Sequence, residues 1–330
     1  MTAAVTAVVP TKNRIGLLRT TMRSILAQRG VDVEVVIVDD GSDAPVAEQI
    51  TALADERVRV LRNASSCGVA AARNQGAAAA CTRWVAYCDD DDLWTPDKIA
   101  GQVAAAEDEQ RIWAYTGAVK FALGPVVWQV MSAPDPLAVV EGLADKNIVP
   151  AGASNVLVDR ETVLASGGFD EGLMHFADWD MWLRLLQVGP PAAAPGIGVG
   201  YRLHPATMSL QPAGILSELE VLDRRWQHMR GGRALDPGPT HLWIAMSHLR
   251  AGQRRLAAAA YLRAARTRRR QGLRGILRTL HPAPPTPAHR TERDRSGAPA
   301  LKRIKVVELS EDVERMLEEL ATPPVDGADA

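Results

Sequence analysis

The chain has 330 residues, enough for one large α/β domain or two domains with a substantial core. Its 47% hydrophobic and 23% charged content fits an ordinary folded protein, and a net charge of −1 gives no global attraction to nucleic acid. No apolar stretch reaches the length of a bilayer span, the start MTAAVTAVVPTKNR lacks the basic region of a signal peptide, and Cys67, Cys81 and Cys88 have no metal-ligand spacing, so the expectation is a cytoplasmic protein with reduced thiols.

The first half alternates between the two hydrophobic periods. Ala3–Val9 reads as a strand, and Ile15–Gln28 as a helix with Leu18, Met22, Ile25 and Leu26 on its apolar side. Val33–Val38 is an apolar strand that ends at Asp39, Asp40, Gly41 and Ser42, followed by a helix over Pro45–Ala54 and a short strand over Val58–Leu61. Val69–Ala80 is an Ala-rich helix, and Trp84–Cys88 a fourth strand. Strands alternating with helices at this spacing predict an α/β fold with a doubly wound, mostly parallel sheet, right-handed crossovers, and a ligand cleft beyond the carboxyl ends of the strands. Thr11, Lys12 and Asn13, then Asp39 and Asp40, then Asp89–Asp92 fall at three such ends. The second half is less regular. Ile112–Val119 and Pro125–Val130 read as antiparallel strands, Pro136–Ala144 as a helix and Ser154–Val158 as a short strand. Gly167–Asp170 is a turn, Asp178–Val188 a helix with Trp182, Leu185 and Leu186 inward, and Gly198–Leu203 a strand ending at His204.

The run WVAYCDDDDLW, residues 84–94, carries the most chemistry. Four adjacent carboxylates after a buried strand repel one another by about 1 kcal/mol per pair even in water, and by more where water is excluded. A divalent cation removes that cost. In an extended chain Asp89 and Asp91 point one way and Asp90 the other, which suits the first two to a hard metal that itself holds a diphosphate. The competing reading is an N-cap cluster for a helix starting near Pro96.

VVPTKNR (8–14), VDDGS (38–42), GVAAARNQG (68–76), YCDDDDLWTP (87–96), GGFDE (167–171), ADWDMWLRL (177–185) and YRLH (201–204) occur in one order, and in that order the chain resembles a family 2 glycosyltransferase of the GT-A fold over about residues 5–210. The resemblance implies a sheet flanked by helices, with a nucleotide-sugar half over 1–110 and an acceptor half over 111–211. It implies inverting transfer from a nucleoside-diphosphate sugar, with uridine or thymidine as the base, to a hydroxyl acceptor. Pro10, Thr11 and Asn13 would line the base and ribose, and Asp40 would accept from the pyrimidine imide, with turn and cap chemistry as the alternative for the Asp39–Ser42 corner. Arg73 would meet phosphate or pair with an acidic strand end. Asp91 and Asp89 would hold Mg2+ or Mn2+, and Asp90 would lie near the ribose; Asp92 would share the site or cap the next helix, and His204 would complete the metal shell or donate to phosphate, with a structural strand-end histidine as the alternative. Asp178 would be the general base, although many relatives carry Glu where Ala177 stands here; it would also serve, or serve instead, as the N-cap of the helix ending near Val188, and a helix N-terminus there would lower its pKa. Asp180 is a lesser candidate for the base, and Ser154 and Asn155 fall on the acceptor side.

From Pro212 the pattern becomes purely helical to about residue 280. Residues 250–278 hold ten arginines and no acid. They read either as an amphipathic extension with a solvated basic face or as an attachment, to anionic lipid at the inner face of the membrane or to an acidic carrier-linked substrate. Residues 281–300 read as a flexible linker, and 301–330 as an acidic amphipathic tail whose helix over 311–320 would dock on the basic region in the same chain or another copy. Two rival functions stay open at this level. One is a nucleotidyltransferase of similar fold, for which the loop after the first strand has only Gly16. The other is a non-catalytic binding or scaffold protein.

Overall fold

The computed structural model describes residues 4–50, 55–122, 126–204, 213–280 and Val313. The chain forms two compact units, Met1–Leu203 with Ile304–Ala330, and His204–Arg303.

In the first unit the elements run β1 (Ala4–Thr11), α1 (Ile15–Leu26), β2 (Asp32–Asp39), α2 (Val46–Gln49), β3 (Val58–Arg62), α3 (Val69–Ala79), β4 (Trp84–Tyr87), β5 (Leu93–Trp94) and α4 (Lys98–Asp108). They continue with β6 (Trp113–Ala122), β7 (Val126–Met131), α5 (Pro136–Gly142), β8 (Leu157–Asp159), α6 (Arg160–Ala165), α7 (Ala177–Val188) and β9 (Ala192–Leu203). One nine-stranded sheet has the order β3-β2-β1-β4-β8-β6-β9-β5, with β7 paired to β6. β1, β2, β3 and β4 are parallel, as are β6 and β9, while β8 runs antiparallel between β4 and β6. The expected α/β sheet is therefore present and is mixed in its second half.

The parallel half reads as continuous apolar runs because both of its faces are covered. Val5, Ala7 and Val9 point to one side of β1 with Leu18, Met22 and Ile25 of α1, and Val36 and Val38 of β2 face Ala72 of α3 on the other. α3 lies close on β1 because residue 76 is glycine; a Cβ there would overlap Val8. In the second half, Ser154 belongs to a 3-10 turn at Gly152–Asn155 rather than to a strand, and the strand proper starts at Leu157. β9 begins at Ala192, six positions before the expected start, because Pro195 and Gly196 form an irregularity in its pairing with β6 that masks the alternation. The expected helix over Pro45–Ala54 is the four-residue α2, with residues 51–54 outside the described set.

The second unit contains α8 (Ile215–Trp226), α9 (Gly238–Arg250), α10 (Arg254–Ala264) and α11 (Arg269–Leu280). The linker expected over 281–300 and all of the tail except Val313 lie outside the described residues. Val313 is fully buried among Leu93, Val119 and Phe121 of the first unit, so the tail's one described contact is with the sheet and not with the basic helices. No described helix is long and apolar enough to cross a membrane.

Candidate active site

The parallel strands deliver their polar ends to one edge of the sheet. β1 ends at Thr11, β2 at Asp39 and β4 at Tyr87, just before the aspartates. The aspartates do not continue the strand. Asp92 N donates to Asp89 O at 3.1 Å, which closes a turn. The turn still separates the side chains, but along a different line from the expected alternation. Carboxylate oxygens of Asp89, Asp91 and Asp92 lie within 4.8 Å of one another, while Asp90 turns back to β1. There Thr11 Oγ1 donates to Asp90 Oδ2 at 2.7 Å and Arg14 Nη1 donates to Asp90 Oδ1 at 3.1 Å. Burial raises Asp90 to about 6; Asp91 adds to the rise, and Thr11 and Arg14 oppose it.

Asp92 joins the cluster and does not cap the next helix, whose N-cap position is Asp97. Asp92 is fully buried, its Oδ1 accepts from Arg202 N at 3.1 Å, and its Oδ2 has no hydrogen-bond partner. Burial, and after it the charges of Asp91 and Asp89, raise its pKa well above the ordinary carboxylate range, against the opposing hydrogen bonds of the Ser154 side chain and Arg202 N. A buried orphan oxygen beside two further carboxylates is the donor set that a hard, oxygen-loving divalent cation satisfies, so these residues fit Mg2+ or Mn2+. His204, the residue after β9 and the first of the second unit, is not in this group.

The remaining expected residues divide into those that face the acid turn and those that build its walls. Arg73 is buried on α3, pairs with Asp89, and sits 5.2 Å from the Phe169 ring centroid. Its guanidinium is thus committed to a strand-end acid, one of the two roles expected of it. Asn13 adopts φ 55° and ties the β1 and β2 loops together: its N donates to Ser42 Oγ at 3.0 Å and its Oδ1 accepts from Asp43 N at 2.8 Å. Pro10 pairs with Val38 at the end of the β1–β2 ladder. Asp39 is structural, accepting from Ser42 N, Val46 N and Arg62. Asp40 accepts from Asn63 Nδ2 at 2.9 Å, Ser66 Oγ at 2.6 Å, Cys67 N at 2.8 Å and Gly68 N at 3.0 Å. Burial opposes its charge, but these donors outweigh it and hold Asp40 well below the usual carboxylate range. The structure therefore gives Asp40 to the loop before α3, and a base imide would have to compete with those donors.

Asp178 lies in the first turn of α7, two positions after its N-cap Phe176. Trp179 N donates to Oδ1 at 2.7 Å and Asn147 Nδ2 to Oδ2 at 3.3 Å. The helix N-terminus does not set the balance: burial raises the pKa of Asp178, Asp89 adds to the rise, and Arg73, Trp179 N and Asn147 oppose it. Arg73 and Asp89 are thus within electrostatic reach of Asp178, which brings the acid turn and the expected base into one site. Asp180 is fully buried and paired with Arg184 at 2.9 Å, so it is a helix-stabilising ion pair. Ser154 Oγ accepts from Asp89 N at 3.0 Å and braces the turn, while Asn155 is buried and bonded to Thr116 and Pro150. Trp182 stacks on Trp113 in the core.

Four contributors were not legible as site residues. Arg14 reaches both Asp90 and Asp91, the latter at 3.3 Å, and its place in a basic loop after β1 was the available signal. Asp92 was hidden by its neighbours. Asn147 lies in an irregular loop without any periodic pattern. Asn74 accepts from Phe169 N at 2.7 Å and donates to Phe169 O at 2.9 Å, tying the Gly167–Asp170 turn to α3.

Residues 6–150 match the family described as Glycosyl transferase family 2. The putative teichuronic acid biosynthesis glycosyltransferase TuaG of Bacillus subtilis (strain 168) is 30% identical over 190 residues, covering 56% of this chain and 73% of that protein. The UDP-Glc:alpha-D-GlcNAc-diphosphoundecaprenol beta-1,3-glucosyltransferase WfaP of Escherichia coli is 28% identical over 190 residues, covering 57% of this chain and 73% of that protein. The structure of mannosyltransferase PcManGT from Pyrobaculum calidifontis in complex with GDP-Man and Mn2+ superposes with a TM-score of 0.52 at 19% identity, over 81% of this chain and 76% of that one, a likeness of fold that is GT-A. A shared sheet alone would leave the chemistry open, but identity of this order over 73% of a relative's length does not: the chain belongs to glycosyltransferase family 2 and is a glycosyltransferase.

Proposed function

We propose that the protein transfers a sugar from a UDP- or dTDP-sugar to a hydroxyl on a glycan or glycolipid acceptor, with inversion at the anomeric carbon and with Mg2+ or Mn2+ required. The observation that carries this reading is the orphaned, buried Asp92 Oδ2 beside Asp89 and Asp91, within electrostatic reach of a buried Asp178. The similarity to the Escherichia coli UDP-Glc:alpha-D-GlcNAc-diphosphoundecaprenol beta-1,3-glucosyltransferase supports the uridine donor and the acceptor class.

Asp89, Asp91 and Asp92 would hold the cation, which when bound neutralises the charge that grows on the leaving diphosphate. Ser154 and Arg73 fix Asp89, and Arg14 and Thr11 fix Asp90, so the acid turn is preorganised before the donor arrives. Pro10, Thr11, Asn13 and the loop anchored by Asp40 form the walls of the base and ribose site. Asp178 takes the proton from the acceptor hydroxyl as its oxygen bonds to the anomeric carbon and the bond from that carbon to the diphosphate oxygen breaks. Trp179 N and Asn147 orient the Asp178 carboxylate. Its raised pKa brings it closer to that of an effective base near neutral pH. The rival reading as a nucleotidyltransferase predicts release of pyrophosphate, whereas this one predicts a nucleoside diphosphate.

The test is a melting-temperature screen of UDP, dTDP and GDP with and without Mn2+, joined to a nucleoside-diphosphate release assay. Stabilisation by UDP or dTDP that needs Mn2+, lost in Asp91→Asn, is the expected result. Cation-independent nucleotide binding together with undiminished turnover in Asp178→Asn sinks the proposal.

A further inference from the structure

Helix α11 carries its small residues inward and its leucines outward. Gly272, Gly275 and Thr279 are buried, and a Cβ at Gly275 would overlap the Tyr261 ring of α10, while one at Gly272 would lie 2.6 Å from Ala265. Glycine at these two positions lets the helices approach closely. Leu273, Leu277 and Leu280 are left 48%, 60% and 72% exposed. At about 100° per residue these three fall within roughly 60° of arc. Arg270, Arg274 and Arg278 form the adjoining exposed stripe, and Arg269 flanks the leucines on the other side. A surface helix of a globular protein places its apolar stripe against the core, and α11 does the reverse.

The charge around the stripe narrows what would cover it. All ten arginines between residues 250 and 278 are exposed, and among the described residues only Arg268 pairs with an acid, Asp236 at 2.7 Å. A nucleic acid would engage the arginines and leave the leucines in water. A second copy meeting α11 face to face would bring like charges together across a two-fold axis. A bilayer surface with anionic headgroups answers both stripes, because leucine side chains enter the acyl boundary while the guanidinium groups stay at the phosphates.

We propose that α11 docks the protein on an anionic bilayer surface, with Leu273, Leu277 and Leu280 inserted and Arg270, Arg274 and Arg278 on lipid phosphates. This inference does not depend on the catalytic roles assigned above. It is tested by flotation of the full-length protein with vesicles of phosphatidylcholine alone and with vesicles in which roughly one third is phosphatidylglycerol. Binding to the anionic vesicles is expected. The triple variants Leu273→Ser/Leu277→Ser/Leu280→Ser and Arg270→Gln/Arg274→Gln/Arg278→Gln should each weaken it by about tenfold or more. The substituted side chains are exposed, so circular dichroism and nucleotide-dependent melting should match the parent protein. The proposal is overturned if the protein does not partition to anionic vesicles, or if the leucine variant binds them as the parent does. It is equally overturned if sedimentation velocity shows that the leucine substitutions convert a dimer to a monomer.

Discussion

Asp92→Asn separates what the acid turn does for stability from what it does for ligand binding. In the protein without a cation, Asp92 is fully buried, has one unpartnered oxygen, and holds a carboxylate oxygen within 4.8 Å of those of two further carboxylates. Two unit charges at about that separation repel by roughly 3 to 4 kcal/mol at an effective dielectric constant near 20. Asp92 escapes part of this by holding its proton, since burial and its neighbours raise its pKa well above the ordinary range. The asparagine removes what is left and keeps an Oδ1 acceptor for Arg202 N. The net gain for the cation-free protein is then about 1 to 3 kcal/mol, or a rise in Tm of roughly 2 to 10 °C. The cation-bound state moves the opposite way. A ligand at about one hundred times its Kd stabilises the parent by roughly 2.7 kcal/mol, and the variant forfeits that increment. Calorimetric melting with and without Mn2+ and UDP reads both effects. A variant that melts below the parent when cation-free, yet keeps the full Mn2+-dependent rise, refutes both the repulsion and the metal assignment.

Further outcomes follow from other side chains. Asp178→Asn should lower kcat for nucleoside-diphosphate release by about 10² to 10⁴ while leaving the UDP-dependent rise in Tm intact, because a general base acts on the acceptor proton and not on the donor. Asp40→Ala should cost about 2 to 4 kcal/mol in urea unfolding, since four donors in the loop before α3 lose their acceptor. Asn74→Ala unties the Gly167–Asp170 turn and should cost about 1 to 3 kcal/mol in the same measurement. Lys98 is buried against the Trp94 ring, and burial lowers its pKa to about 7. The unfolded chain therefore binds the extra proton between about pH 7 and the ordinary lysine value, and stability should rise with pH across that window by as much as about 1.4 kcal/mol per pH unit. Lys98→Met should flatten that slope; a parent protein whose stability is level over the same range contradicts the assignment.

The apolar runs of β1, β2 and β4 and the amphipathic period of α1 are local signals, and the sequence alone determined from them the α/β class, the parallel half of the sheet and the edge at which its polar ends meet. Periodicity survives whatever the rest of the chain does, because each strand covered on both faces must be apolar throughout and each helix must present one apolar stripe. The acid turn was visible for the same reason: four aspartates behind a buried strand have few structural uses. Which carboxylates converge was decided by the tertiary structure. A backbone turn from Asp89 to Asp92 replaced the extended geometry, sent Asp90 to Thr11 and Arg14, and brought Asp92 into the cluster. The same holds for Asp40, absorbed by a loop more than twenty residues away in sequence, and for Asp178, whose pKa follows burial more than its helix. A side chain's hydrogen-bond partners and its degree of burial depend on residues brought from distant parts of the chain, and no local pattern encodes them.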